Sequence, residues 1–393
     1  MRVSLHSTSR QLPAGDWDSL TVDATIYSSS GFLKVREEEL PEGAHGHYLL
    51  ARDAGGAAVS GLEAYSFRTP PHVLYTPADL LTGLVPGERH HRVATNPLAF
   101  GSGWSEFRGQ LPRRADVSAA DREAAVRALT AEAMRFAGAN GASVLAYYYL
   151  PREQALEVAR AHAGDGAVVR FHDVETSLPL GLWDTFDDYR AWLPARRRQR
   201  ALRELRLFQE SDRIVKEYRL PEAVKEMAPL NSALMQRHGH TAFDEERVAT
   251  VYERQGRFLG DQSSLLMAED AGRPVGCVLR YRQHDMLYGR VAGFDYSASN
   301  LADYFNLVFY HPITTGAGRS VRAIHLGLGT FHAKMSRGAQ PTPLYSVLVG
   351  VDRPLDADAA AVRERNRSEV LAFAEEHGPT VVGGIDAESW MLD

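Results

Sequence analysis

The sequence predicts an α/β (α+β) protein of two domains, each with a mixed central sheet flanked by helices. β-prone runs alternate with amphipathic helices along the 393 residues, a pattern typical of sheets covered by helices. This length suits two domains of roughly 150–200 residues each. Similar hairpins in the two halves indicate that the second domain repeats the first. We place the domains at residues 1–176 and 177–393 and expect the functional site in the second.

The two hairpins carry the evidence for a repeat. The first reads YLLARDAGGAAVSGLEAY over residues 48–65, and the second reads SLLMAEDAGRPVGCVLRY over residues 264–281. Each contains a strand, an acidic residue, a glycine turn, a second strand and an aromatic residue. A repeat of this length indicates two copies of one supersecondary unit. The alternative is a chance likeness, because such turns are common.

The first half begins with a helix-like segment and a hairpin, continues through a loop-rich stretch, and ends with two helices alternating with two strands. The predicted bounds are 16–23 for the helix-like segment with 27–40 after it, 47–52 and 57–67 for the hairpin, 69–116 for loops and short strands, 119–137 and 152–161 for the helices, and 143–150 and 167–172 for the strands.

The second half follows a similar plan. Its predicted helices are 186–208, 221–237, 244–259, 300–315 and 357–376. Its predicted strands are 214–220, 264–268, 274–282, 286–294, 321–326 and 345–351.

Composition excludes several classes of protein. The net charge of −6 argues against a protein that coats nucleic acid non-specifically, although it permits a local basic patch. No apolar run is long enough for a membrane span, and the N-terminal residues contain no secretory signal, so we expect a cytoplasmic protein with no membrane partner. The single cysteine, Cys277, lies in an apolar run and is interpreted as a buried hydrophobe. No histidine pair has a third ligand at useful spacing, so no metal site is predicted.

The stretch LYGRVAGFDYSASNLADYFNLVFYHPITTGAGRSVRAIHLGLGTFHAKMSRG, residues 287–338, resembles the Fem-like branch of the GNAT acyltransferase superfamily. The resemblance lies in an aromatic-rich helix, a strand that ends near glycines, and a loop with Phe331, Lys334 and Gly338. The Arg-rich segment 183–205 is similar to the helix that opens the second domain of that family. The resemblance implies two tandem GNAT-like domains and an enzyme that forms amide bonds.

The identity of the donor is inferred from one turn at which this sequence differs from GNAT enzymes that use CoA. GNAT enzymes that use CoA hold its pyrophosphate on a glycine-containing turn at a helix N-terminus. The equivalent turn here, residues 295–300, has no glycine pair and carries Asp295. The Fem-like resemblance then implies aminoacyl-tRNA as the donor substrate, with no cofactor. Lys34 matches one part of the Fem pattern for a nucleotide-linked acceptor, without the remainder of that pattern.

Three residues are predicted to be catalytic. Lys334 follows Phe331 in the loop after a strand and is one of only four lysines, so it is assigned to the donor carbonyl, a phosphate or the developing oxyanion. We expect its replacement to leave thermal stability nearly unchanged, as for a loop lysine. His325 lies late in an apolar strand and could relay a proton. Asp295 follows the preceding strand, and the alternative for it is a helix-start carboxylate.

A further set of residues is predicted to bind substrate. The arginines of the run 196–206 are the strongest electrostatic feature, and Arg196, Arg200 and Arg203 share one helical face that could grip tRNA. The alternative is a solvated face with Glu204 and Glu210 as local partners. The other members of the set are Phe331, Arg337, Asp303, Tyr304, Tyr310 and Lys34.

The predicted function is transfer of an aminoacyl group from aminoacyl-tRNA to an amine of a small molecule or peptide. One alternative is an N-acyltransferase that uses acyl-CoA or a carrier-bound thioester. The other is a GNAT-like binding module without activity.

Overall fold

The structure, a computed structural model, describes residues 1–240, 242–298, 301–316, 318 and 320–392, apart from the side chain of residue 14. The described chain divides into two compact units. The first unit contains residues 1–174, 343–376 and 386–393, and the second contains residues 175–342 and 377–385. The chain is mixed α/β, as the alternation of strands and helices predicted.

The first unit is a sheet with helices packed against it. Its strands are β1 (Arg2–His6), β2 (His45–Arg52), β3 (Ala58–Phe67), β4 (Leu98–Phe100), β5 (Val144–Pro151), the first part of β6 (Val168–Leu178) and most of β12 (Gln340–Gly350). Its helices are α1 (Ala14–Asp18), α2 (Ser30–Glu39), α3 (Pro77–Leu81), α4 (Gly87–Thr95), α5 (Ala119–Ala139), α6 (Arg152–Ala161) and α14 (Ala359–His377). The strand order is β1-β2-β3-β4-β5-β12-β6.

The second unit repeats this plan around the end of β6. Its other strands are β7 (Ile214–Arg219), β8 (Ser263–Asp270), β9 (Arg273–Gln283), β10 (Met286–Phe294) and β11 (Ala323–Gly327), in the order β6-β11-β10-β9-β8-β7. Its helices are α7 (Phe186–Trp192), α8 (Ala195–Gln209), α9 (Leu220–Arg237), α10 (Glu245–Leu259), α11 (Asp303–Phe305), a π-helical turn (Asn306–Tyr310), α12 (His311–Thr314) and α13 (Phe331–Met335).

The two units share one order of strand pairing. In each, an antiparallel hairpin, β2–β3 or β8–β9, leads to a further antiparallel strand, β4 or β10. That strand then pairs in parallel with β5 or β11 over only three residues. The repeat predicted from the two hairpin sequences therefore extends to the whole arrangement of strands.

Proline residues lie at the boundaries of several helices that differ from the predicted elements. The predicted helix 186–208 is two helices, because Pro194 lacks an N–H and disfavours helical geometry in the residue before it. Pro194 is the N-cap of α8, and α7 begins at a capping box of Thr185 and Asp188. The stretch 69–116 was predicted as loops with short strands, but α3 and α4 form there, with Pro77 in the first turn of α3.

The predicted helix 300–315 is irregular in the structure. Residue 300 lies outside the described residues, and the helix is described from Asp303 onward. Its middle, Asn306–Tyr310, is a π-helical turn, a feature that is frequent at functional sites. Buried Leu307, Phe309 and Tyr310 belong to the core of the second unit, which also includes residues of α7, α8 and the sheet.

The C-terminal residues group differently from the predicted boundary at 176/177. Residues 343–376 belong to the first unit rather than to the second. The reason is pairing, because β12 runs antiparallel to β5 from Leu344 to Gly350. In addition, the buried side chain of Asn366 on α14 donates to the carbonyl of Val169 and accepts from the N–H of Phe171. These contacts tie the end of the chain to the first half.

None of the described helices is both long and apolar enough to span a membrane.

Candidate functional site

The second unit contains a cavity where two parallel strands separate. Pairing between β10 and β11 ends at Tyr288 and His325, although β10 continues to Phe294. At the same point β10 bulges between Gly289 and Val291, and Arg290 is the extra residue. A cavity of about 510 Å³ opens there, with β9, β10, β11, α9 and the helix from Asp303 around it. We call this space the β10–β11 cavity.

The wall of the cavity is mostly apolar with a few charged groups. Its apolar side chains include Val275, Val278, Val291, Phe294, Ile324 and Leu326. Its charged side chains are Arg280, Arg290, Lys334, Asp295 and Asp303. A mostly apolar space of this size with convergent polar groups is typical of a site for a small molecule or for one end of a larger substrate.

Lys334 lines the cavity on α13, and its ammonium group contacts the carbonyls at the end of β11 and of the residue that follows. The side chain is buried, with only 4% of the residue exposed. Nζ donates to the backbone carbonyls of Leu326 at 2.7 Å, Leu328 at 2.7 Å and Gly327 at 3.4 Å. We had expected replacement of Lys334 to leave thermal stability nearly unchanged. The structure corrects this expectation, because the three carbonyls would lose a charged donor. The catalytic assignment of Lys334 stays a prediction.

Asp295 organises the turn that follows β10. Its Oδ1 accepts from the N–H of Ser297 at 2.8 Å and from the hydroxyl of Ser297 at 2.5 Å, and Oδ2 pairs with Arg273 at 3.1 Å. The hydrogen bonds from Ser297 lower the pKa of Asp295, so the carboxylate is ionised at neutral pH. Residues 299 and 300 of this turn lie outside the described residues. Asp295 therefore caps this turn, whereas α11 begins only at Asp303, and its catalytic assignment stays a prediction.

Asp303 and Tyr304 also line the cavity, at the start of α11. Asp303 forms an ion pair with the buried Arg213 and accepts from the N–H of Leu301 at 3.3 Å. Burial raises the pKa of Tyr304, so its phenol is protonated at neutral pH and retains a proton to donate. Both residues thus border the cavity, and their assignment to substrate binding stays a prediction.

Arg337 and Tyr310 are bound to Glu204, a residue of α8. Arg337 donates from Nε to Oε2 of Glu204 at 3.2 Å and from Nη2 to Oε1 at 2.6 Å, and its guanidinium lies over the ring of Phe305. The hydroxyl of Tyr310 donates to Oε2 of Glu204 at 2.5 Å. Both side chains are buried in this cluster, which we call the Glu204 clamp. These contacts join α8 to the residues just after α13 and to the π-helical turn, and the predicted contact of Arg337 and Tyr310 with substrate stays a prediction.

His325 and Phe331 are not among the residues that line the β10–β11 cavity. His325 alternates along β11 with Ile324 and Leu326, which line the cavity, so it faces the opposite side of the sheet. There its Nε2 lies 2.8 Å from Oε2 of Glu175, and both side chains are buried. The ring of Phe331 packs on His377 at 5.2 Å between centroids. His325 is thus buried beside a carboxylate on the face away from the cavity, and its assignment as a proton relay stays a prediction.

The predicted tRNA-binding arginines lie on the surface of α8. Arg196 and Arg203 are exposed, and Arg200, also exposed, donates from Nε to Oε1 of Glu204 at 2.9 Å. Arg200 thus belongs partly to the Glu204 clamp, as the local-partner interpretation expected. Lys34 is on α2 in the first unit, whereas the β10–β11 cavity belongs to the second.

Several residues of the site were missed by sequence reasoning. Arg280 and Arg290 lie in strands that are otherwise apolar, and Arg213 is the buried partner of Asp303. An arginine inside an apolar β-run was a usable signal, because a buried arginine needs a partner. The role of Glu204 was not visible, since its partners at positions 310 and 337 are distant in sequence.

The single cysteine and the possible metal ligands were part of the sequence predictions. Cys277 is fully buried, and burial raises the pKa of its thiol to about 12, so it stays protonated at neutral pH. Among the described residues, no group of three or more His, Cys, Asp or Glu side chains is arranged to hold a metal ion.

Comparison with known proteins identifies the family. Residues 111–379 match the FemAB-like family, which is described as acting in peptidoglycan biosynthesis and recognition. The chain belongs to the FemAB-like family. The matched segment covers the second unit except residues 380–385, and residues 111–174 and 343–376 of the first, and it includes every residue of the β10–β11 cavity. A comparison of the sequence with curated proteins gives no significant match.

Solved structures with the same fold agree with this membership. FemX superimposes with a TM-score of 0.61 at 10% identity, covering 88% of this chain and 97% of FemX. A conserved protein of unknown function from Bacteroides thetaiotaomicron gives 0.55 at 10% identity, covering 89% and 100%. The C-terminal domain of a putative lysylphosphatidylglycerol synthetase from Agrobacterium fabrum gives 0.52 at 10% identity, covering 95% and 97%.

This FemAB-like chain is an acyltransferase of the Fem-like GNAT type, as the resemblance predicted. Acyl transfer to an amine needs a place where the acyl carbonyl and the amine meet and a donor for the developing oxyanion. The gap between β10 and β11 leaves backbone groups of β10 beyond Tyr288 unpaired with β11, next to charged side chains. The geometry of the β10–β11 cavity therefore suits this chemistry.

Proposed function

We propose that this protein transfers an aminoacyl group from aminoacyl-tRNA to an amine of a small molecule or peptide. The reaction takes place in the β10–β11 cavity. The neutral amine attacks the ester carbonyl of the donor, a C–N bond forms, and the C–O bond to the terminal ribose breaks. The amine loses a proton and the ribose oxygen gains one. The donor is a cytoplasmic molecule, so the proposal implies a cytoplasmic protein without a cofactor.

The turn after β10 supports aminoacyl-tRNA rather than acyl-CoA as the donor. In a CoA-type site, free N–H groups in the turn that leads from this strand into the helix would hold a pyrophosphate. Here Asp295 already accepts from the N–H and the hydroxyl of Ser297, and its ionised carboxylate repels a second anion. A second carboxylate, Asp303, stands in the first turn of α11 and is paired with Arg213. These occupied positions support a donor whose phosphates bind elsewhere.

Exposed arginines support a polyanionic donor. Arg196 and Arg203 lie on α8, a helix of the same unit that is bound through the Glu204 clamp to Arg337, just after α13. Phosphate contacts of this kind need exposed cations rather than a closed pocket. The cavity itself, at about 510 Å³, accommodates the aminoacyl end and the acceptor.

Membership in a family described by peptidoglycan biosynthesis and the likeness to FemX support amide formation on a peptide or similar amine. Within the cavity, Lys334 positions the loop 326–330 through its three carbonyl contacts and places a positive charge near the acyl carbonyl. Tyr304 supplies a protonated hydroxyl.

A transfer assay tests the proposal. The protein is incubated with total tRNA, a synthetase mixture, ATP, labelled amino acids and a panel of amines, with and without RNase. We expect a labelled amide product that RNase abolishes. Release of free CoA from acyl-CoA by the same protein would show that the donor is a thioester rather than aminoacyl-tRNA. Absence of both products from folded protein would contradict the proposal in favour of a binding module.

A further inference from the structure

The cavity contains a buried arginine whose hydrogen-bonding capacity is incompletely used. Arg280 lies on β9, lines the β10–β11 cavity and is only 7% exposed. Its Nη2 donates to Oε1 of Glu217 at 2.8 Å. Its Nε is buried, and no other group in the described parts of the chain accepts a hydrogen bond from it. A guanidinium cannot lose its charge at accessible pH, so its unused donor is costly to bury.

Glu217 compensates this charge only partly. Its side chain is 56% exposed, so solvent screens the ion pair. Burial disfavours the charged form and lowers the pKa of Arg280 in spite of this partner. The nearby His311 does not add a negative charge, and burial together with the charge of Arg280 lowers the pKa of its ring. An anionic group from outside the protein would complete the environment of Arg280.

The remaining charges of the cavity also favour an anion. Arg280, Arg290 and Lys334 are its cations, and Asp295 and Asp303 are its carboxylates. Each carboxylate is paired with an arginine other than Arg280, either Arg273 or Arg213. The carboxylates on the wall therefore do not supply the countercharge of Arg280. The remaining lining is mostly aliphatic, together with Phe294 and the polar side chains of His238, Tyr296, Tyr304 and Thr330.

We propose that the substrate held in the β10–β11 cavity has an apolar body that carries a carboxylate or a phosphate, and that Arg280 recognises this anionic group. The inference rests on the proposed function and names the substrate class of the same site. The guanidinium presents parallel N–H donors that match either kind of oxyanion, and the aliphatic wall covers the apolar body. Arg280 thus determines specificity and takes no part in the chemical step.

Binding of matched six-carbon probes tests this inference. The full chain is titrated by calorimetry with hexanoate, hexyl phosphate, hexanol and hexylamine, which share one apolar chain and differ in the polar end. We expect hexanoate or hexyl phosphate to bind about tenfold or more tightly than hexanol, and hexylamine not to bind. The tighter of the two anions identifies the anionic group. Equal binding of hexanol and both anions would overturn the inference.

Variants assign the effect to Arg280. Arg280→Met removes the guanidinium, and we expect it to abolish the preference for the anion. Arg282→Met is the matched control, because Arg282 is an exposed residue two positions along the same strand, and it should bind as the parent does. Glu217→Gln releases Arg280 from its carboxylate partner and should tighten anion binding several-fold. If Arg280→Met does not fold, unchanged or weaker binding by Glu217→Gln contradicts the inference.

The proposed function and the inference about Arg280 can be contradicted independently of each other, because these titrations contain no acyl donor. A chain that binds the anions through Arg280 but transfers nothing in the RNase-controlled assay contradicts the proposed function. A chain that transfers aminoacyl groups and binds anions equally well with and without Arg280 contradicts only the inference about Arg280.

Discussion

Lys334 combines a structural role with a place at the cavity, and both can be measured. Removing its ammonium group leaves the carbonyls of Leu326, Gly327 and Leu328 without their charged donor. We expect Lys334→Ala to lower the free energy of unfolding by about 1–3 kcal/mol and turnover by about tenfold or more. Urea unfolding and initial rates, taken well below the melting temperature, measure the two effects.

The matched control for this change is Lys225→Ala, since Lys225 is an exposed lysine of α9. It should leave stability within about 0.5 kcal/mol of the parent and turnover unchanged. Parental turnover in folded Lys334→Ala would remove Lys334 from the site.

Glu204 pairs with the buried cation of Arg337 and should make the free energy of unfolding depend on pH. Burial opposes ionisation of Glu204, but the hydrogen bonds from Arg337 and Tyr310 outweigh it and lower the pKa. A lowered folded pKa contributes stability that is fully present above the unfolded value of about 4.3 and is lost as the pH falls through the folded pKa. We expect Glu204→Ala to cost about 3–5 kcal/mol at pH 7, because it leaves Arg337 buried and unpaired.

Glu210→Ala is the control, because Glu210 is an exposed carboxylate at the end of the same helix. Denaturant unfolding between pH 7 and pH 3 should show a smaller loss of stability for Glu204→Gln than for the parent over this range. Parallel curves for the two proteins would show that Glu204 is not ionised in the clamp.

At the scale of single elements, β10 packs against α9 through a glycine. A Cβ at Gly293 would lie 2.6 Å from the backbone nitrogen of Asn231, where nothing flexible can yield. A Cβ at Gly289 on the same strand would meet only an ordinary contact, 3.6 Å from the carbonyl oxygen of His325. We expect Gly293→Ala to cost about 1–3 kcal/mol and Gly289→Ala clearly less, as measured by chemical unfolding. Equal costs would contradict this packing of the cavity wall.

The arginine face of α8 makes a prediction about donor binding. The double variant Arg196→Ala/Arg203→Ala should weaken binding of aminoacyl-tRNA and lower the slope of log K against log salt by about 0.7 for each phosphate that the variant no longer neutralises. Arg363→Ala/Arg367→Ala, two exposed arginines of α14, is the control and should leave the slope unchanged. Equal slopes for all three proteins would count against a polyanion on this face.

At the scale of the whole molecule, sequence patterns predicted the helices and strands that depend on local periodicity. The two hairpins, the helices 119–137 and 244–259, and strand 286–294 are local patterns, and the structure has them within a few residues. The grouping of residues 343–376 with the first unit was not predictable in this way. It depends on pairing of β12 with β5, residues nearly 200 positions apart, which no local pattern encodes.

The candidate site was predictable to a similar extent. Lys334, Asp295, Asp303 and Tyr304 were predicted from the segments that follow two strands, and all four line the β10–β11 cavity. His325 was on the right strand but on the other face, since period-two alternation sends it away from Ile324 and Leu326. Arg280 and Glu204 gain their significance from burial and from distant partners, which only the folded chain reveals.

The central claim is that acyl transfer takes place in the β10–β11 cavity. Ala292→Phe tests it directly, because Ala292 lines the cavity and a phenyl ring there fills the space that the substrates need. The measurement is the initial rate of RNase-sensitive amide formation by the folded variant relative to the parent. We expect the rate to fall about a hundredfold, the scale of a misplaced substrate, while the melting temperature stays close to that of the parent. Transfer by the folded variant at the parental rate would contradict the claim.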